Sequence, residues 1–396
     1  MALGDRLRDR RERAGLTQGD AARALRLPRE LVSMWETEAR TPGLGQLEEL
    51  ARLYRVNVAY LLGEEELDEK REREVLFRGL GGSPEARLEL ERWLNFLDGW
   101  ADLLEDLGGA EVLPGPGKPP RGLREWAQST DARRAPTLAA KAREVYGLGS
   151  GAIPDLYAFL DEQDVLVYRA VLGSISGPGG GVSGAFYNHP ELGYCLLVNS
   201  DTTLGRQAFT LAHEFAHALF HYPSRGLISW KGERDPREKF ADVFAAHFLV
   251  PTKQLKDLVE DDRQSGWPDP YEALQLASYF RVSYATLLYR LFEEKIIEGD
   301  TYEWLKGYSP SQMAFYLGMD PEEFSIPEHK TLHLERYPVS VIERIKRAVE
   351  AAELTPSQAA GLLEVDIYTL QRHIKMLSNP PKADAEERLE FEELPS

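Results

Sequence analysis

Two histidines lie four residues apart in the stretch FTLAHEFAHALFH, residues 209–221. Residues four apart on a helix lie one above the other, so His213 and His217 can offer two imidazoles to one tetrahedral ion. Glu214 projects about 100° further round the helix, beside the ion. The opposite face is apolar and would bury against a sheet, and it holds Leu211, Phe215, Ala218 and Leu219.

A metal ion used for hydrolysis needs a third protein ligand and a position for water. The predicted helix 235–249 presents Glu238 and Asp242 on one face, with alanines 241 and 245 small enough to let two helices approach closely. We predict that Glu238 is the third ligand. Asp242, one turn further on, is expected to accept a hydrogen bond from a ligand histidine and so fix its tautomer.

The sequence around the motif HEFAH, residues 213–217, favours a metal site over a chance match. In a chance match the two histidines would lie on a solvated helix. Three strand-like runs precede the motif, at 165–171, 181–187 and 194–199, and the helix 235–249 follows it. A small sheet followed by helices that carry the site is an α+β arrangement. Hydrolysis is therefore the expected chemistry.

In that chemistry, zinc lowers the pKa of a bound water to about 7 and Glu214 acts as the base that takes its proton. Glu214 then returns the proton to the leaving amine. His221, Tyr222 and His247 are nearby candidates for stabilising the oxyanion, although such residues are more often structural.

Residues 5–63 are predicted to form a compact unit of five short helices, separated by turn residues. In a helix-turn-helix, one helix braces against the DNA backbone and the next enters the major groove. Gln18 starts the bracing helix, and Arg29, Glu30 and Ser33 are expected to be exposed on the second helix. A protein-binding helical module of the same shape is the alternative.

The net charge of −18 argues against a chain that coats nucleic acid with its whole surface. Residues 1–63 hold eleven Arg and nine Asp or Glu, a balance of +2, so the other residues carry −20. The single Cys195 cannot form an internal disulfide, and no apolar run approaches the ~18–20 residues of a membrane span. The N-terminus lacks the apolar segment of a signal peptide. These features predict a cytoplasmic protein without a membrane partner.

The remaining segments are predicted to be connectors and helices. An amphipathic helix at 83–107 carries a Trp and Leu stripe typical of intramolecular core or a dimer seam. The stretch 113–120 is rich in Pro and Gly and is predicted to be a linker. The predicted division is a helix-turn-helix domain (1–64), a connector with linker (65–125), an α+β metal-site domain (126–300), a helical C-terminal region (301–382) and an acidic tail (383–396).

A weak internal match links the two ends of the chain. Leu16-Thr17, followed by Ala21, Ala22 and Leu25, matches Leu354-Thr355, followed by Ala359, Ala360 and Leu363. Five matches at one spacing indicate a second helix-turn-helix-like unit, and a plain packing role is the alternative.

The metal-site region, about 135–295, resembles the ImmA/IrrE family of metallopeptidases in residues 209–221, in Val198-Asn199 and in the stretch EKFADVFAAHFLVP at 238–251. The resemblance implies a gluzincin-like fold in which His213, His217 and Glu238 bind zinc, with manganese as the alternative metal, and Glu214 is the base. Family members often have Asn at the position of Asp242. The family also implies repressor proteins as substrates.

Residues 5–63 resemble the XRE family of Cro/C1-type repressors in LTQ at 16–18, VSMWE at 32–36 and RTP at 40–42. This resemblance implies binding of a homodimer to double-stranded operator DNA, with base contacts from Arg29, Glu30 and Ser33. Glu38 stands where glycine is usual, and an acid there should repel the DNA backbone.

Three functions remain open at this point. The chain could be a stress- or phage-responsive protease that cleaves a repressor, in trans or within itself. It could be a transcription regulator whose metal domain senses a ligand without proteolysis, or an antitoxin-like partner of a toxin. Glu214 favours the protease, because a sensing site needs ligands but no base.

Overall fold

The computed structural model describes residues 2–13, 16–54, 56, 58–63, 84–108, 113–173, 181–222, 226–230, 235–262, 269–326 and 333–378. The predicted acidic tail 383–396 lies outside the described residues. None of the described helices is long and apolar enough to cross a membrane.

The N-terminal helices are α1 Leu3–Arg13, α2 Gln18–Leu25, α3 Arg29–Glu36, α4 Leu44–Leu53 and α5 Val58–Leu62, followed by α6 Pro84–Gly108. The central elements are α7 Arg121–Arg124, α8 Ala135–Val145, α9 Leu156–Glu162, β1 Leu166–Ala170, β2 Val182–His189, β3 Gly193–Asn199, α10 Leu204–Phe220, β4 Gly226–Trp230 and α11 Pro236–Leu249. The later helices are α12 Thr252–Asp262, α13 Pro270–Tyr279, α14 Tyr284–Glu293, α15 Gly299–Leu305, α16 Pro310–Tyr316, α17 Val339–Glu350, α18 Pro356–Leu362 and α19 Ile367–Ser378.

The first five helices form a bundle with a core of its own. Thr17 begins α2 with a capping box: its Oγ1 accepts from Asp20 N at 3.1 Å, and the Asp20 carboxylate accepts from Thr17 N at 3.0 Å. Val32 and Trp35 are buried and hold α3 against the other helices. The predicted all-helical N-terminal domain is confirmed, with α1 starting at Leu3 rather than at residue 7.

Glu38, just after α3, has a φ of 59°, in the left-handed region that favours glycine. Its Oε1 accepts a hydrogen bond from Gly4 N at 3.1 Å. We expect Glu38→Gly to raise the free energy of unfolding of this bundle by about 0.5 kcal/mol, because relief of the backbone strain outweighs one partly exposed hydrogen bond. Chemical denaturation measures the change. Glu38→Ala keeps the strain and loses the bond, so it should destabilise, and a glycine variant no more stable than the alanine variant would contradict this account.

A four-stranded sheet lies at the centre of the α+β domain, with the strand order β1-β3-β2-β4. β1 and β3 are parallel, and β2 is antiparallel to both β3 and β4. The three strands expected from the sequence correspond to β1, β2 and β3. β4 was not predicted, because its five residues, GLISW, neither alternate between apolar and polar nor form a continuous apolar run.

The helices α8, α10 and α11 form one buried layer beside the sheet. The apolar face of α10 is fully buried, as predicted, in Leu211, Phe215, Ala218 and Leu219. Ala241 and Ala245 are also fully buried and let α11 lie close against α10. This packing fixes which way the remaining faces of α10 and α11 point.

The other side of the sheet is covered by α6 and the C-terminal helices. Trp93, Leu97 and Trp100 of α6 are buried there, so the stripe predicted on this helix is intramolecular core. The stretch 113–120 lacks regular structure, as expected, but it is not a free linker. Gly117 N donates to Asn188 Oδ1 at 2.7 Å, and a Cβ on Gly117 would lie 2.4 Å from the Tyr194 ring.

Candidate metal centre

Two capped helices supply the centre. Thr203 caps α10, with its Oγ1 accepting from Arg206 N at 3.3 Å. Asp235 caps α11, with its Oδ1 accepting from Arg237 N at 2.9 Å, and Pro236 opens the helix. Because the two helices pack closely, the first turn of α11 lies opposite the histidines of α10, and this contact brings Glu238 to them.

Three buried side chains converge at this point: His213, His217 and Glu238. The distance from His213 Nε2 to His217 Nε2 is 3.1 Å, and Glu238 Oε2 lies 3.0 Å from His213 Nε2. Glu238 Oε1 lies 3.4 Å from His217 Nε2. Ligand atoms placed ~2.0–2.1 Å from a tetrahedral zinc ion are about 3.3 Å apart, so this donor set fits such an ion.

The outer nitrogens of both histidines are also held. Asp242 Oδ1 lies 2.9 Å from His213 Nδ1, so Nδ1–H donates to the carboxylate and Nε2 faces the cluster. His217 Nδ1 lies 2.8 Å from His221 Nδ1, and His221 Nε2–H donates to the Ser129 carbonyl at 2.8 Å. His217 thus contacts His221 through Nδ1 and Glu238 through Nε2, at opposite edges of its ring. His221 is therefore a residue that orients the His217 ring. In the sequence, the spacing of four residues between His217 and His221 is the feature that indicates this contact.

The surroundings of the three side chains shift their pKa values in different directions. Burial works against ionisation of Glu238, but His217 and His213 hold the pKa of this carboxyl well below its usual range. Burial lowers the pKa of His217, which Glu238 only partly opposes. Burial would also lower the pKa of His213, but the hydrogen bonds that its ring donates to Asp242 and Glu238 raise this pKa well above the usual value. Cation binding would therefore require His213 to release a proton.

Glu214 is fully buried on α10 next to β2. A Cβ on Gly184 of β2 would lie 2.8 Å from Glu214 Oε1 and 2.6 Å from Thr210 Cγ2. Glycine at this position thus leaves the space in which the Glu214 carboxylate lies. The sequence carried no signal for Gly184, because the contact joins a strand to a helix far along the chain.

His247 and Tyr222, the other oxyanion candidates, take different places. His247 Nε2 lies 3.2 Å from Glu293 Oε2 and 3.1 Å from Arg290 Nη1, in a buried ion cluster on α14. The Tyr222 carbonyl accepts from Asn188 Nδ2 at 3.4 Å, next to the strands.

In the N-terminal bundle, Arg29 and Glu30 are exposed and Ser33 is half-buried on α3. Gln18 Nε2 donates to Glu36 Oε2 at 3.0 Å, so this side chain is engaged inside the bundle. Gln18 and Arg29 line an open cavity of about 640 Å³, together with residues 127–128 of the α+β domain.

Hydrogen bonds of Thr130 and Arg237 join the bundle to the α+β domain. Thr130 Oγ1 donates to Asp20 Oδ2 at 3.4 Å, and Arg237 Nη2 donates to the Leu53 carbonyl at 3.3 Å. Thr130 follows Ser129, the partner of His221, and Arg237 precedes Glu238. Both contacts are therefore one residue away from groups of the metal centre.

Family models match both parts of the chain. Residues 170–292 match the peptidase M78 model, described as the IrrE N-terminal-like domain. Residues 2–61 match the model of a helix-turn-helix domain. The chain is therefore similar to XRE-type helix-turn-helix domains in its N-terminal bundle and to IrrE/ImmA-like, metallopeptidase-type domains in its α+β part.

Among individual proteins, the chain is similar to the HTH-type transcriptional regulator ImmR of Bacillus subtilis (strain 168). The two are 40% identical over 76 residues, which is 19% of this chain. The match spans 60% of the length of that regulator.

Asp242 offers a direct test of how the site is oriented. We expect Asp242→Ala to weaken zinc binding about 10–100-fold, because His213 loses the partner that fixes its tautomer. Competition with a chelator dye measures this change. Asp242→Asn keeps an oxygen that can accept from Nδ1–H and should bind zinc more tightly than the alanine variant. Equal affinities for the two variants would show that the hydrogen bond has no orienting effect.

Proposed function

We propose that the chain is a DNA-binding transcriptional regulator with a zinc-dependent endopeptidase domain that cleaves a repressor protein, in trans or within its own chain, after a stress or phage signal. The observation that carries the proposal is the convergence of two imidazoles and one carboxylate at 3.0–3.4 Å, with Glu214 next to His213 on the same helix. We also propose that His213, His217 and Glu238 bind the metal in a gluzincin-like arrangement.

The residues divide the work of hydrolysis as follows. His213, His217 and Glu238 hold the cation, and Asp242 and His221 keep the two imidazoles turned towards it. Bound zinc supplies a Lewis acid that polarises the peptide carbonyl and acidifies water. Glu214 accepts the proton of the attacking water and passes it to the amine of the leaving peptide.

The DNA-binding part of the proposal rests on the N-terminal bundle. Exposed Arg29 and Glu30 lie at the start of α3, the end of the helix that reads bases in this class of domain. Ser33 lies one turn further along, and Gln18 lies at the start of α2, where a phosphate would approach. The proposal includes a homodimer bound to double-stranded operator DNA, which the resemblance to Cro/C1-type repressors implies. A repressor of the same class is the proposed substrate, on the resemblance to ImmA/IrrE peptidases.

The test uses the full-length protein loaded with Zn²⁺ or Mn²⁺. The protein is incubated alone and with a purified Cro/C1-type repressor, and the products are identified by intact mass spectrometry. We expect paired fragments whose masses sum to the parent plus one water. Native mass spectrometry in parallel should show one zinc ion per chain.

The alternative is a regulator or antitoxin whose metal domain senses a ligand without proteolysis. Burial of the three ligands and of Glu214 favours this alternative, since a peptide substrate must reach the cation. Stoichiometric zinc without any cleaved product would select it. A protein that binds no divalent metal would exclude both.

A further inference from the structure

The corner between α18 and α19 repeats the corner between α2 and α3 at one constant spacing along the chain. Thr355 caps α18 through a capping box with Gln358, as Thr17 caps α2. Glu364, at the position of Arg26, has a φ of 47°, and Arg26 has a φ of 56°. Both turns therefore use a left-handed residue at the same place, although neither residue is glycine.

The backbone hydrogen bond that closes each turn is repeated as well. Leu27 N donates to Ala22 O at 2.8 Å, and Val365 N donates to Ala360 O at 3.0 Å. Buried positions recur at the same spacing and include the preceding helix, α17, as the counterpart of α1. The matched buried pairs are Leu7 and Ile345, Leu16 and Leu354, Ala21 and Ala359, Ala22 and Ala360, and Val32 and Leu370. Helices α17, α18 and α19 thus form a second tri-helical helix-turn-helix unit.

A third corner of the same shape shows what a pure packing role looks like. Between α13 and α14, Arg281 has a φ of 56° and Val282 N donates to Ala277 O at 3.0 Å. The second helix of this corner is buried on several sides, through Tyr284, Leu287, Leu288, Arg290 and Leu291. Its exposed positions, Ala285, Tyr289 and Phe292, offer no positive charge and no amide to a nucleic acid.

Helix α19 has the opposite pattern. Of its side chains described, at 367–375, Leu370 is the one that is buried, while Tyr368, Gln371, Arg372 and Lys375 are exposed. Tyr368 and Gln371 occupy the positions that Glu30 and Ser33 occupy on α3. The unit is anchored from its other side: Tyr337 Oη donates to the Leu363 carbonyl at 2.8 Å, within the core shared with α6 and the sheet.

The exposed face of α19 has the chemistry of a DNA-reading surface. Residues 367–378 contain Arg372 and Lys375 and no acidic residue, in a chain of net charge −18. Glutamine can bind adenine through two hydrogen bonds, and arginine can bind guanine or a phosphate. The two acids before the helix are already engaged: Asp366 Oδ1 accepts from Thr369 N at 2.9 Å, and Glu364 Oε2 lies 3.3 Å from Arg92 Nε.

We propose that α17–α19 is a second DNA-binding unit, with α19 entering the major groove of double-stranded DNA through Tyr368, Gln371, Arg372 and Lys375. The proposal goes beyond the function proposed above, which assigns DNA binding to residues of α2 and α3. One chain would then contact the duplex at two places, and this would lengthen its binding site.

The test measures binding of the full-length chain to a duplex of about 40 base pairs, room for several helical turns of about 10 base pairs. Fluorescence anisotropy is recorded over a salt series for wild type, Arg372→Gln/Lys375→Gln and the control Arg344→Gln/Arg347→Gln. The control removes the same charge from exposed positions of α17. We expect the α19 variant to bind about tenfold more weakly and to lower the slope of log affinity against log salt by about 2, because each phosphate contact contributes about 0.9.

The control should keep the wild-type slope. The same series in an Arg29→Ala background separates the two units, because binding left after loss of Arg29 should still depend on Arg372 and Lys375. An unchanged slope in the α19 variant overturns the proposal, as does an equal loss in the control. A fall in oligomeric mass of the α19 variant, with DNA affinity unchanged, would also overturn it and would assign this face to a second copy of the chain. Metal binding and proteolysis do not enter these measurements, so they test this proposal separately.

Discussion

Replacing Glu214 by glutamine should abolish peptide cleavage while leaving the metal in place. Removal of a general base lowers the rate about 10²–10⁴-fold. Glu214 is not among the three converging ligands, so one zinc ion per chain should remain bound. Intact mass spectrometry measures the cleaved products, and native mass spectrometry measures the metal.

Glu260→Gln is the matched control, because it makes the same chemical change at an exposed position of α12. It should cleave like wild type. Cleavage that survives Glu214→Gln would eliminate this residue as the base. Loss of zinc from the same variant would instead identify Glu214 as a ligand.

Of the substitutions proposed for this chain, Arg237→Ala should lower the free energy of unfolding the most. Both side chains of the Asp235 and Arg237 pair are buried, and Arg237 Nε lies 2.9 Å from Asp235 Oδ2. Removing the guanidinium leaves the Asp235 carboxylate buried without its counter-ion, which costs about 3–5 kcal/mol. Urea unfolding followed by far-UV circular dichroism measures the shift in midpoint.

The chain contains a natural control for this prediction. Asp131 and Arg133 have the same Asp-x-Arg spacing, but their side chains are largely exposed. Arg133→Ala should therefore leave the midpoint unchanged within error. Adding Asp235→Asn to Arg237→Ala should recover part of the loss, because the amide keeps the cap oxygen and removes the buried charge. A midpoint for Arg237→Ala equal to that of Arg133→Ala would refute the argument.

Helical spacing alone predicted which side chains of the metal centre share a face. His213 and His217 are one turn apart on α10, and Glu238 and Asp242 are one turn apart on α11. The small residues Ala241 and Ala245 indicated that the helices would pack closely. Within each pair the spacing along one helix sets the arrangement. The packing of α10 against α11 is the single long-range contact that these four side chains need in order to meet.

Relations between distant segments could not be predicted in the same way. The space that Gly184 leaves for Glu214 depends on how β2 packs against α10. The five residues of β4 show neither alternation nor a continuous apolar run. The stretch 113–120 was expected to be a linker because Pro and Gly exclude regular structure. They do not exclude order, and hydrogen bonds of Gly115 and Gly117 hold this stretch to the domain.

The hydrogen bonds of Thr130 and Arg237 between the N-terminal bundle and the α+β domain have an energetic consequence. Thr130 and Arg237 donate to the bundle, and each is the chain neighbour of a residue at the metal centre. If one ligand changes the affinity of a protein for a second ligand, the second ligand changes the affinity for the first by the same factor. If loading with zinc alters the operator dissociation constant of this chain, operator DNA alters its zinc dissociation constant in equal measure. A titration of either ligand in the presence of the other would reveal that reciprocity.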